Sequence, residues 1–190
     1  IRGGGVPVEM FSAEGDLASL EGTLQHLGRL LGDEAQAAQV FKDYQQQLEE
    51  PQQQVQAAQA SHQAPGVLLL LGHAGGKPMI AGKDTAADWL LTQAGGHNLA
   101  THSGYKPFSV EALAGLNPEV LVFADRSLTG EAARKALMKE NPVLASIRAA
   151  KNGRVYELDP TLLVGGLGPR LPERLKQLTA EFYPAGPVSQ

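Results

Sequence analysis

From Asp33 to Ala60 the chain runs without a glycine and is rich in Ala, Gln and Glu. At a rise of 1.5 Å per residue, a helix of this length spans roughly 40 Å, about the width of a small domain. Asp33 followed by Glu34 supplies an N-cap and an acidic first turn. Val40, Phe41, Tyr44 and Leu48 share one helical stripe, predicted to pack while the glutamines face water. Pro51 removes one backbone hydrogen bond and predicts a kink or a split. Past His62 the composition changes abruptly to the apolar run Val67–Leu71. A long, thinly apolar helix between two patterned regions predicts a spine joining two lobes.

With 43% hydrophobic and 19% charged residues in 190, an ordinary globular core is expected. The formal charge of -4 and the scattered basic residues argue against a nucleic-acid binder, which would usually carry a basic face. No apolar run reaches membrane-spanning length. The absence of cysteine removes disulfides, thiolate metal sites and Cys nucleophiles, and suits either the cytoplasm or an oxidising compartment. Ile1-Arg2 is not a natural initiation, so the chain reads as part of something longer. Val6–Phe11 is expected to be the last strand of a lobe whose earlier part is missing.

Leu17, Leu20, Leu24, Leu27 and Leu31 predict an amphipathic helix ending at Gly32. A buried strand over Val67–Leu71 closes on Gly72-His73-Ala74-Gly75-Gly76. Pro78-Met79-Ile80 reads as a short strand. Asp84 or Thr85 caps a helix through Ala87, Leu90 and Leu91, stopped by Gly95-Gly96. His97–Ser103 is expected to be loop, and Ser109 caps a short helix over Val110–Ala114. A second buried strand covers Val120–Phe123, and a helix covers Glu131–Lys139. Asn141-Pro142 predicts an N-cap with proline at N1, opening a helix over Val143–Ala150. A strand over Arg154–Leu158 precedes a terminal helix with Leu171, Leu175, Leu178 and Phe182 inward. Alternation without hairpin signals implies an α/β fold, with a mainly parallel sheet covered by helices.

Enzyme signatures fail one by one. Gly82-Lys83-Asp84-Thr85 lacks the glycine a phosphate loop needs at position 77, which is Lys77. The glycine clusters do not match a dinucleotide fingerprint, and neither a nucleophile elbow nor an H-x-x-x-H pair occurs. Binding candidates remain. His73, at a strand's carboxyl end in a glycine loop, either touches a ligand or bonds to nearby backbone. Met79 is an apolar wall or core filler. Arg126 directly follows the second buried strand, where ligands of open α/β sheets sit; it faces an anion there or pairs with Asp125. Tyr105 stacks on a planar ligand or packs on Pro107. His97 and His102 read as solvated, and Glu140, Glu173 and Glu181 as surface charges available to a docking partner.

The ordered series Gly72-His73-Ala74-Gly75-Gly76, Ala81-Gly82-Lys83-Asp84-Thr85-Ala86-Ala87-Asp88, Gly104-Tyr105-Lys106-Pro107-Phe108-Ser109 and Leu162-Leu163-Val164-Gly165-Gly166-Leu167-Gly168-Pro169-Arg170 resembles the periplasmic haem-binding proteins of bacterial ABC haem importers. These share a class with ferric-siderophore and cobalamin binding proteins. Asn117-Pro118-Glu119 is common to the class, whereas the Gly-Tyr-Lys-Pro and Gly-Gly-Leu-Gly-Pro-Arg stretches point to the haem branch.

The resemblance implies two α/β lobes joined by one long helix. Residues 1–32 would be a remnant of the N-terminal lobe, 33–62 the interlobe helix and 63–190 the C-terminal α/β lobe. It implies haem as the transported ligand, held between the lobes, with the usual axial tyrosine in the part of the first lobe that this chain does not contain. Arg126 resembles the pocket arginine, His73 occupies the position of a second axial ligand, and Met79, Tyr105 and Leu128 would contact the porphyrin. The implied partners are a membrane permease and its ATPase, met by peripheral contact only, and the implied compartment is the periplasm. The mechanism implied is capture, not catalysis. A ferric-siderophore or cobalamin binder is the alternative within the class. Outside it stands a truncated lobe acting as an interaction module, prone to dimerise or exchange domains.

Overall fold

The structure is a computed structural model and describes residues 8–12, 14–72, 79–107, 109–125 and 129–184. Two helices come first. Helix α1 (Leu17–Leu31) is capped by Asp16, whose carboxylate accepts the Ser19 N–H, and it ends at Gly32 with φ 71°. Helix α2 (Glu34–Gln59) is capped by Asp33 through the Gln36 N–H. The expected strand Val6–Phe11 is corrected in part: Val8–Phe11 form no strand, and Val6 and Pro7 lie outside the described residues.

Pro51 neither splits α2 nor sits in solvent; it is buried within a continuous helix. The buried stripe is Ala37, Tyr44, Leu48 and Pro51, with Phe41 half-buried. Val40, expected in that stripe, is 41% exposed, because one residue before Phe41 is a turn of about 100° away from it. Burial pushes the Tyr44 phenol up to about 12, and its hydroxyl donates to the Gly168 carbonyl at 3.3 Å.

The remaining elements are β1 (Gly66–Leu71), β2 (Met79–Ala81), α3 (Ala86–Gln93), β3 (His97–Asn98), β4 (Tyr105–Pro107), α4 (Val110–Leu116), β5 (Val120–Ala124), α5 (Gly130–Glu140), α6 (Arg148–Lys151), β6 (Val155–Glu157) and α7 (Leu171–Phe182). Among the described residues they form one sheet in the order β4-β2-β1-β5-β6, with β3 also on β1. The pairs β1–β5, β5–β6 and β1–β3 are parallel. The pairs β1–β2 and β2–β4 are antiparallel, so the sheet is mainly parallel with an antiparallel flank that sequence patterning did not announce. Residues 97–103, expected as loop, contain β3.

Alternation along β1 and β5 builds two cores, as a sheet covered on both faces requires. Val67, Leu69, Val120 and Val122 face α2, α3 and α7 residues such as Leu48, Leu90 and Leu178. Leu68, Leu70, Leu121 and Phe123 face Leu113, Leu137 and Leu144. The helix expected over Val143–Ala150 is instead a 3₁₀ turn (Pro142–Ser146) followed by the short α6. Asn141 does not cap it, since its side-chain amide donates back to the Leu137 carbonyl at 3.0 Å.

Two close approaches place α1. A Cβ on Gly28 would stand 2.8 Å from the Ala37 Cβ and 3.0 Å from the Glu34 Cα, so α1 and α2 meet almost backbone to backbone. A Cβ on Gly15 would stand 2.6 Å from the Ala86 Cα, which presses the start of α1 on the first residue of α3. Leu17 and Leu20 pack against the core beneath α7. Further along, α2 is tied to α7 by the pair Glu50–Lys176 at 2.9 Å.

Candidate functional site

Register aligns the strand ends. Leu71 pairs with both Met79 and Ala124, Met79 pairs with Pro107, and Phe123 pairs with Glu157. The carboxyl ends of β1, β4, β5 and β6 and the first residue of β2 therefore share one edge, where open α/β sheets hold ligands.

Of the expected site residues, His73, Arg126 and Leu128 lie outside the described residues. Met79 is at the shared edge and 37% exposed. Tyr105 is set back from it, opposite Ala81, with its ring against the α3 side of the core. Burial raises its phenol, while hydrogen bonding to Thr85 and Ala87 at the start of α3 opposes that. The structure thus brings Met79 to the edge and sends the Tyr105 hydroxyl to a helix terminus. His97 is exposed, but His102 is half-buried rather than solvated, with Nε2 3.2 Å from the Ile80 carbonyl. Glu181 is no free surface charge: it pairs with Arg174 at 3.0 Å.

The same edge carries a concavity of about 860 Å³ lined by Asp125, Thr129, Glu157, Asp159, Pro160, Thr161 and Val164. Its walls are braced by charge-assisted hydrogen bonds. One Glu157 carboxylate oxygen accepts the N–H of Gly130, the first residue of α5. Asp159 accepts the Thr161 N–H at 2.9 Å, the Thr161 hydroxyl at 2.7 Å and Arg170 Nη1 at 3.0 Å. Arg170 Nη2 in turn donates to the Thr161 hydroxyl oxygen at 2.7 Å. The Thr161 hydroxyl, then its N–H, and the Arg170 guanidinium hold the Asp159 carboxyl below its ordinary value. Asp125 closes the floor, 4% exposed at the end of β5. Val164 stands on the wall 62% exposed. Among the described residues no cluster of three or more His, Asp or Glu is arranged to hold a metal ion.

Sequence reading missed Val164, Glu157 and the Asp159–Thr161–Arg170 brace. Its one usable signal was the Gly165-Gly166-Leu167-Gly168-Pro169-Arg170 stretch, which here sets Arg170 against Asp159.

Residues 2–162 match the family model described as periplasmic binding protein. The chain belongs to the periplasmic binding protein family. This periplasmic binding protein is similar to a periplasmic heme binding protein from Pseudomonas aeruginosa, at 56% identity and a TM-score of 0.93 over 100% of this chain and 68% of that one. It is also similar to the periplasmic heme binding protein HutB of Vibrio cholerae, at 27% identity and a TM-score of 0.80 over 96% and 70% of the two chains. A curated relative, the uncharacterized ABC transporter substrate-binding lipoprotein YvrC of Bacillus subtilis (strain 168), is 31% identical over 104 residues. That alignment covers 54% of this chain, which spans only 31% of the relative's length. The resemblance drawn from the glycine-rich motifs and the mixed α/β fold both agree with these matches.

Proposed function

We propose that this protein is the haem-binding component of an ABC importer, which captures haem between two lobes and delivers it to an inner-membrane permease served by its ATPase. In this reading residues 1–32 belong to the first lobe, 33–62 form the interlobe helix, and 63–190 form the second lobe, whose carboxyl edge faces the cargo. The supporting observation is a braced concavity lined by exposed Val164, on the sheet edge that also exposes Met79, in a chain 56% identical to a heme binding protein. A porphyrin offers an apolar ring and two carboxylates. Met79 and Val164, with Leu128, would take the ring edge, and Arg126 would neutralise a propionate or offset a ferric–phenolate centre. His73 would approach the iron, the main axial ligand being expected in the first lobe. Tyr105 supports β4 and the start of α3 beside the ring. The protein binds and releases its cargo without converting it.

Haemin titration of the full-length protein, followed by Soret absorbance, tests the reading. A saturable band that withstands competition by a ferric siderophore and by cobalamin supports it. No band, or displacement by either competitor at equal concentration, rejects it.

A further inference from the structure

We propose that Glu157 is a positioning residue that fixes the width of the cargo concavity by capping α5, and that it does not touch the cargo; this rests on the haem-binding reading above. Helices α1 to α4 open in the ordinary way, each capped by its own preceding Asp, Thr or Ser side chain. Helix α5 does not: Thr129 stands at its N-cap and makes no side-chain cap bond. The open N–H groups of a helix start favour an acceptor, and a carboxylate most of all. Here the acceptor comes from another strand. Glu157, at the end of β6, takes the Gly130 N–H.

Glu157 is also held from behind. Its backbone carbonyl accepts Arg174 Nη2 at 2.8 Å, and that guanidinium is locked by the two Glu181 oxygens at 3.1 and 3.0 Å. Thr129 and Glu157 both line the concavity, and the Gly130 bond holds them side by side on its wall. The chain of bonds α7–β6–α5 therefore acts as a strut behind that wall, setting where the start of α5 stands relative to β6 before any cargo arrives. Preset walls lower the ordering cost of binding and slow escape.

The test uses the full-length protein and haemin, with transfer to excess apomyoglobin giving the dissociation rate. Glu157→Ala is expected to raise that rate about tenfold, the cost of one lost cap, with the Soret maximum unmoved. Glu157→Gln keeps an oxygen for the Gly130 N–H and is expected to stay within about twofold of wild type. Adding Thr129→Asp to Glu157→Ala restores a local cap and is expected to recover most of the loss. An unchanged rate in Glu157→Ala, a Gln variant as fast as the Ala variant, a moved Soret band, or a folded double variant without recovery would each overturn the proposal. Amide exchange separates the two readings. If wild type takes up no haemin the functional reading fails, and the strut still stands or falls on whether Glu157→Ala, but not Glu157→Gln, speeds exchange at the Gly130 N–H.

Discussion

At the amino edge of the sheet the Gly95 carbonyl accepts the Tyr183 hydroxyl at 2.7 Å and the Gln59 amide at 3.2 Å, and Arg154 Nη2 donates to the Phe182 carbonyl at 2.7 Å. At the carboxyl edge the braces join β6 to α5 and Asp159 to Arg170, and Met79 and Val164 stay in solvent. Both edges have a hollow, about 670 Å³ at the amino side and about 860 Å³ at the other. Size does not tell them apart. At the amino edge the aromatic side chains turn inward: Phe182 is 2% exposed and the Tyr183 ring belongs to the core. That hollow is a seam where the ends of α2 and α7 meet. At the carboxyl edge Val164 is held outward on a braced wall, and Met79 is exposed farther along the same edge.

The contrast is sharpest at Phe182. Phe182→Ala is expected to cost about 3–5 kcal/mol of stability, read as a lower urea midpoint, with haemin affinity of the folded fraction unchanged; an affinity loss would make the seam part of the site. Val164→Asp is the converse case. Haemin affinity should fall about tenfold as a charge replaces apolar contact, with the urea midpoint within error of wild type. Should the midpoint drop and affinity hold, the two edges would not differ in kind. Tyr183→Phe removes one hydroxyl from the seam and should cost about 1 kcal/mol by urea denaturation, leaving haemin dissociation untouched.

The smallest effect concerns acid. The Asp159 carboxyl is depressed in the fold from its ordinary 3.8. Its contribution is therefore complete above that value and is lost as pH falls through the lower folded pKa. Asp159→Asn should flatten the stability profile below pH 3.8, where the depressed carboxyl takes up its proton, and leave the profile at neutral pH unchanged in slope. An unaltered acid limb would show that the Thr161 and Arg170 bonds do not survive in solution.

Local signals carried much of the fold. The leucine spacing of α1, the run of β1 and the inward Leu171, Leu175, Leu178 and Phe182 of α7 were readable because one period repeats over several turns or strand residues. β2 and β4 were not readable as an antiparallel flank, since three residues each give no periodicity and their pairing depends on β1. Asn141-Pro142 carries a strong start signal, yet the side chain finds the preceding helix first. Along this edge, the short strand that opens at Met79 was legible from its place after a buried strand. The Glu157 cap was not, because it joins residues 27 apart in sequence that only the sheet brings together. Val164 hides among apolar neighbours, and only its exposure distinguishes it from Leu162.

The contact of Gly15 on Ala86, together with that of Gly28 on Ala37, triangulates α1. A rod pinned at two points to different parts of a body cannot swivel about either one. A larger residue at Gly15 would work like a shim under a bearing, meeting the Ala86 backbone and tilting α1 against the sheet, far from the residues that line the carboxyl-edge hollow.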